Sequence, residues 1–137
     1  MHRRIIELHS AGRGFSEITA AVQTAVAASG VRIGLCHLFL QHTSASLCIT
    51  ENAALAVRDD LQAWAQRLAP DSATAYRHDD EGPDDMPAHI RSLVAGVELT
   101  VPIGDGELLL GTWQGLYVWE HRRVAHLRRV VLTINGS

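Results

Sequence analysis

Little in this chain points to a polyanion, a membrane or an oxidising compartment. Lys and Arg together number 12 against 15 Asp and Glu, a formal net charge of -3. That balance gives no general electrostatic case for nucleic acid or an anionic membrane surface as partner. No segment approaches the apolar length that a membrane span requires. The start, Met1 to Ile6, lacks the continuous apolar region of a signal peptide, so the expected location is the cytoplasm. Only two cysteines occur. Cys36 and Cys48 sit in apolar, strand-like runs and read as reduced core residues rather than as a disulfide. No internal repeat or low-complexity tract is visible.

What is present is a globular composition. The 137 residues are 47% hydrophobic and 20% charged, enough for one domain over residues 1–137 with a real core. Eight histidines are many for this length and direct attention to metal or acid–base chemistry.

Hydrophobic periodicity outlines the elements. Arg3 to Ser10 alternate as a first strand, and Ala11 to Gly14 form a turn. Ile18, Ala21, Val22, Ala25 and Val26 recur at helical spacing, with Ser16 as N-cap and Gly30 as C′ residue. Val31 to His42 reads as a long strand, and Leu47 to Ile49 belong to another. A second helix runs from Ala53 to Leu68 behind Asn52 as cap, and Pro70 ends it. A short helix to Val94 follows, closed by Gly96. Strands are then expected at Val97 to Ile103 and Glu107 to Trp113 around the turn Gly104-Asp105-Gly106. Gln114-Gly115 should turn the chain into Leu116 to His121, and Val124 to Ile134 is the last strand.

Three places break the pattern. Between Tyr76 and His89, two histidines bracket five carboxylates in a segment rich in Gly and Pro, a composition that apolar burial does not select. Pro87 fits a helix's first turn, with Asp84 or Asp85 ahead of it as cap and His89 near the helix start. His42 ends an apolar strand face and is followed by the hydroxyls Thr43, Ser44 and Ser46. These residues suit a general base or metal ligand beside a phosphate or carboxylate, or else plain turn chemistry. Glu120 continues the apolar row of Leu116 and Val118, which is costly unless the carboxylate is paired or faces a cleft.

Together the motifs resemble the YjbQ family, also called the secondary thiamine-phosphate synthase enzyme family. They are Gln-His-Thr-Ser-Ala at 41 to 45, Thr-Glu-Asn at 50 to 52, Tyr-Arg-His at 76 to 78, Asp-Asp-Met-Pro-Ala-His at 84 to 89, Val-Pro-Ile-Gly-Asp-Gly at 101 to 106 and Leu-Gly-Thr-Trp-Gln-Gly at 110 to 115. The resemblance implies an α+β fold of two packed, mainly antiparallel β-sheets with flanking helices, assembled as a homotrimer. It places the family's polar positions on His42, Ser44, Glu51, Asn52, His78, Asp85, His89, Gln114 and Glu120. Two departures stand out. An acidic Asp-Pro-Asp-Val stretch common in the family is replaced by Ala53 to Val57, and Asp85 stands where Asn is usual.

The expected site is one pocket. His42 and Glu120 would act as acid and base, while Ser44 and Gln114 would orient a phosphorylated small molecule. Glu51, Asn52 and Asp85 would complete its lining. His42, His78 and His89 are the candidate ligands of a divalent metal, zinc or magnesium. The implied activity is a weak thiamine-phosphate synthase-like transfer. The alternatives are a non-catalytic metal- or anion-binding homotrimer and a purely structural trimer.

Overall fold

Antiparallel pairing orders most of the chain. The computed structural model describes all of residues 1–137. Its elements are β1 (His2–His9), β2 (Gly14–Glu17), α1 (Thr19–Ser29), β3 (Gly34–Leu40), β4 (Ala45–Glu51), α2 (Leu55–Leu68), α3 (Asp85–Ala95), β5 (Glu98–Gly104), β6 (Glu107–Leu108), β7 (Gln114–Glu120) and β8 (Leu127–Gly136). Five strands form one sheet in the order β1-β8-β3-β5-β6, and three form another in the order β2-β7-β4. Every pairing is antiparallel. The expected α+β fold with two mainly antiparallel sheets and flanking helices is the one observed.

Alternation along the strands decides what each face does. From the five-stranded sheet, Leu38 and Leu40 of β3 and Leu132 and Ile134 of β8 turn inward. They meet Leu47 of β4, Leu116 and Val118 of β7, and Val22 and Val26 of α1 in one buried cluster. The other face of the three-stranded sheet carries aromatic residues: Phe15 stacks on Trp119 with ring centroids 4.5 Å apart. Helix α2 covers this face, with Trp119 Nε1 donating to Gln62 Oε1 at 2.8 Å and the Arg58 guanidinium over the Tyr117 ring. No helix covers the outer face of the five-stranded sheet, where Ile5, Leu35 and Phe39 remain exposed. No helix is long and apolar enough to cross a membrane.

Tertiary pairing moves several expected boundaries. Ser16 does not cap α1; it lies in β2, opposite Val118, because Phe15 and its neighbours extend the sheet edge. Gln114 and Gly115 pair with Glu51 and Thr50 as the start of β7, and the turn falls earlier. There the Gln114 N–H donates to Gly111 O at 3.0 Å, and the Gly111 N–H donates to Gln114 Oε1 at 2.7 Å. Strand β6 is accordingly only two residues long. The expected hairpin before it is present. Asp105 (φ 52°) and Gly106 (φ 81°) take the two left-handed positions that a tight antiparallel hairpin requires.

Helix α2 starts at Leu55, later than the expected Ala53, and no side chain caps it. Glu51 braces the turn ahead of it, its Oε2 accepting from the N–H groups of Ala53 at 3.1 Å and Ala54 at 2.5 Å. Asn52 instead donates through its side-chain amide to Thr112 O and Gln114 O.

Candidate functional site

The register of the small sheet builds one corner of the molecule. Glu120, at the end of β7, lies opposite Ala45 of β4 and Gly14 of β2. The segment from His42 to Ser44, the start of α3 and the start of β8 therefore converge beside it. Glu120 is 1% exposed. Arg128 of β8 grips it with both a 2.8 Å bond from Nε to Oε1 and a bond from Nη2 to Oε2. Ser10 Oγ donates to Oε1 at 2.6 Å, and the N–H groups of His121 and Arg122 donate to Oε2 at 3.0 and 3.1 Å. Burial alone would raise this carboxyl's pKa, but Arg128 and Ser10 outweigh it and hold Glu120 below the ordinary glutamate range.

The chain of contacts continues to His42. Arg128 Nη2 donates to Ser44 Oγ at 2.9 Å, and Ser44 Oγ lies 3.0 Å from His42 Nδ1. The Ser44 backbone N–H donates to the same nitrogen at 3.2 Å. Nδ1 is therefore an acceptor, and the proton of the neutral ring sits on Nε2. Burial, reinforced by Arg128 and His126, lowers the His42 pKa and keeps the ring neutral. His42 and His89 both line an open groove of about 740 Å³ whose other walls include Phe39, Met86, Ile90 and Leu93.

At the start of α3 a second cluster forms. Asp85 Oδ2 lies 2.7 Å from His78 Nε2 and 3.3 Å from His89 Nε2, and the three ligand atoms lie within 4.8 Å of one another. Arg122 Nη1 holds the other oxygen, Oδ1, at 2.9 Å, while its Nε bonds Asp84 Oδ2 at 3.1 Å. His78 Nδ1 faces Asp80 Oδ1 at 3.3 Å. Burial of Asp85 would raise its pKa, yet His78 and Arg122 hold it below the usual aspartate range.

This donor set fits a divalent metal. Two imidazole nitrogens and one carboxylate oxygen converge, and two of the three have an outer partner fixing their orientation: Asp80 for His78 and Arg122 for Asp85. Two imidazoles favour zinc over magnesium, which prefers oxygen ligands. His42 does not fit the set. Its Nδ1 lone pair is engaged by Ser44 and its Nε2 carries the proton, and the group that clusters with His78 and His89 is Asp85 rather than His42.

The comparisons with known proteins agree with the fold. The family described as UPF0047 protein YjbQ-like matches residues 4–137. The UPF0047 protein sll1880 of Synechocystis is 44% identical over 136 residues, covering 99% of this chain and 92% of that protein. The UPF0047 protein YjbQ of Salmonella typhimurium is 44% identical over 137 residues, covering 99% of each. The chain belongs to the YjbQ family. Among solved structures, the conserved hypothetical protein TT1486 of Thermus thermophilus superposes with a TM-score of 0.86 at 32% identity, over 96% of this chain and 99% of that one.

Not every YjbQ-family position comes to the corner. His42, Ser44, His78, Asp85, His89 and Glu120 belong to one connected network. Glu51, Asn52 and Gln114 lie at the opposite end of the β4–β7 ladder, six residues from the Ala45–Glu120 pair (45 to 51), which is roughly 20 Å along a strand. There they brace the turn ahead of α2 and close the turn before β7. Gln114 therefore cannot orient a ligand beside His42 of its own chain.

Glu120 is also corrected as an acid–base residue. Its oxygens are saturated by five donors from Ser10, His121, Arg122 and Arg128, so it positions Arg128 and Ser44 instead. Arg122 and Arg128 were missed by the sequence reading. Arg128 had a signal: it ends the inward row of Val130, Leu132 and Ile134, as Glu120 ends that of Leu116 and Val118.

Proposed function

We propose that this protein binds zinc through His78, Asp85 and His89 and uses the adjoining groove to act on a phosphorylated small molecule. The observation that carries the reading is the convergence of those three donors, one of which, His89, also lines the groove. The sequence contains no lysine. Each arginine packed at this corner is already paired: Arg13 and Arg123 with Asp71, Arg122 with Asp84 and Asp85, and Arg128 with Glu120. A cation bound at the cluster would bridge an anionic ligand to these residues. When bound, zinc supplies a Lewis-acid centre for phosphate oxygens.

The chain's own groups divide the remaining work. Arg122 holds Asp85 with one oxygen directed at the histidines, and the His42 Nε2–H is a donor for a ligand oxygen. The apolar groove walls receive an organic body. Such a site suits transfer of the kind the family resemblance implies. A thiazole nitrogen attacks a pyrimidine methylene, a C–N bond forms, and the C–O bond to pyrophosphate breaks. That nucleophile carries no proton, so the step needs orientation and charge stabilisation rather than a general base, in keeping with a locked Glu120. A homotrimer belongs to the same reading. The uncovered sheet face with Ile5, Leu35 and Phe39, and Leu93 at the groove, present the apolar surface that assembly would bury.

The test is elemental analysis of untagged protein incubated with zinc and dialysed. Wild type is expected to hold about one zinc per chain, and His78→Ala and His89→Ala to hold none. A wild-type protein without stoichiometric zinc overturns the proposal. Pyrophosphate release that is equal in wild type and His89→Ala assigns the site to binding alone.

A further inference from the structure

One more carboxylate stands beside the candidate zinc cluster. Gly82, at φ 103°, turns the chain between His78 and α3, and its N–H donates to Asp79 O at 3.3 Å. The turn leaves the Glu81 side chain exposed, while the Glu81 backbone O accepts from Arg122 Nη2 at 2.9 Å. The same guanidinium holds Asp85 Oδ1 through Nη1. Arg122 thus sets the two residues side by side, and the Glu81 carboxyl lies within hydrogen-bonding reach of the Asp85 carboxyl. Its charge also acts on His78. Two carboxylates in contact repel unless a cation or a proton lies between them. Asp71, Asp84 and Asp85 are each paired with an arginine, whereas the arginine at Glu81 bonds only its backbone. A metal ion shared by the Glu81 and Asp85 carboxylates removes that repulsion, and the two histidines beside them complete its ligands.

Building on the reading that the cluster binds zinc, we propose that Glu81 is its displaceable fourth ligand: the carboxylate closes the remaining position in the resting protein and gives way to a phosphate oxygen of the substrate. His78, Asp85 and His89 supply three donors, and zinc takes four. The two carboxylates are held differently, which divides their roles. Asp85 is 2% exposed and locked by Arg122, so it stays. Glu81 is tethered through its backbone alone, and its exposed side chain can swing into solvent. The exchange replaces one anionic oxygen by another, so a phosphorylated ligand displaces Glu81 where a neutral alcohol does not. Glu81 thereby makes the site selective for anions without any free arginine.

The test uses two affinities of the full-length protein: zinc in competition with a chelator, and inorganic phosphate titrated calorimetrically into the zinc-loaded form. Glu81→Gln keeps the size of the side chain and removes its anionic oxygen. It should weaken zinc by at least about tenfold. It should also tighten phosphate by about tenfold, the factor by which a competitor that holds the position about nine-tenths of the time lowers the apparent affinity. A residue that merely props the loop would lose zinc without gaining phosphate. Asp79→Asn, at an exposed carboxylate in the same turn, removes an equal charge and should leave both constants within about twofold, because an exposed charge is screened. Equal zinc affinity in wild type and Glu81→Gln, phosphate binding that is unchanged or weaker in that variant, or the same changes in Asp79→Asn overturns the inference and leaves the zinc site standing. A wild-type protein that takes up no zinc overturns both.

Discussion

Acidification is expected to destabilise this protein through His121, a residue the sequence offers no reason to notice. His121 is fully buried, its Nε2 lies 2.7 Å from Ser46 Oγ, and its Nδ1 has no partner. Burial first, and then the positive charge of Arg91, push its pKa from 6.5 down to about 3. In that interval the unfolded chain binds the proton and the native chain does not, so stability is intact above pH 6.5 and falls as the pH drops. Each unit is worth about 1.36 kcal/mol, so lowering the pH from 7 to 5 removes about 2 kcal/mol through this group. The site is enclosed, so solvent does not dilute the effect. Urea unfolding of wild type and His121→Gln at both pH values isolates it, because carboxylates elsewhere titrate equally in the two proteins. Wild type should lose about 2 kcal/mol more than the variant; losses equal within about 0.5 kcal/mol refute the reasoning.

Other expectations follow from the same network. Glu120→Gln leaves the Arg128 charge buried and unpaired and should cost about 3–5 kcal/mol in urea unfolding, whereas the double change Glu120→Leu with Arg128→Met should cost less than the single one. Arg122→Met frees Asp85 Oδ1 and should weaken zinc about 10–100-fold in competition with a chelator; unchanged affinity removes Arg122 from the orienting role. Sedimentation at micromolar protein should show a trimer, and a monomer alone contradicts the assembly.

The architecture was largely legible because buried strands alternate. Leu38 and Leu40, like Leu116 and Val118, announce their faces at period two, and Asp105-Gly106 announces its hairpin. Strand β2 was not legible, since its four residues gain their extended form from pairing with β7 and carry no pattern of their own. The corner was legible as a set of anomalies: His42, His78, His89 and Glu120 all stand where folding alone favours something else. Their roles were not. Whether Glu120 is a free base or half of an ion pair depends on Arg128, eight residues on, and only the pairing of β8 inside the large sheet brings the two together. Gln114, Glu51 and Asn52 were drawn to the site by motif, while the ladder register carries them to its far end.

Anomalous diffraction at the zinc edge from crystals grown with zinc tests the proposed zinc site most directly. A peak is expected about 2.0–2.2 Å from His78 Nε2, His89 Nε2 and a carboxylate oxygen of Asp85, with His42 outside the coordination sphere. No peak at that cluster, or zinc only at exposed histidines elsewhere on the surface, contradicts it.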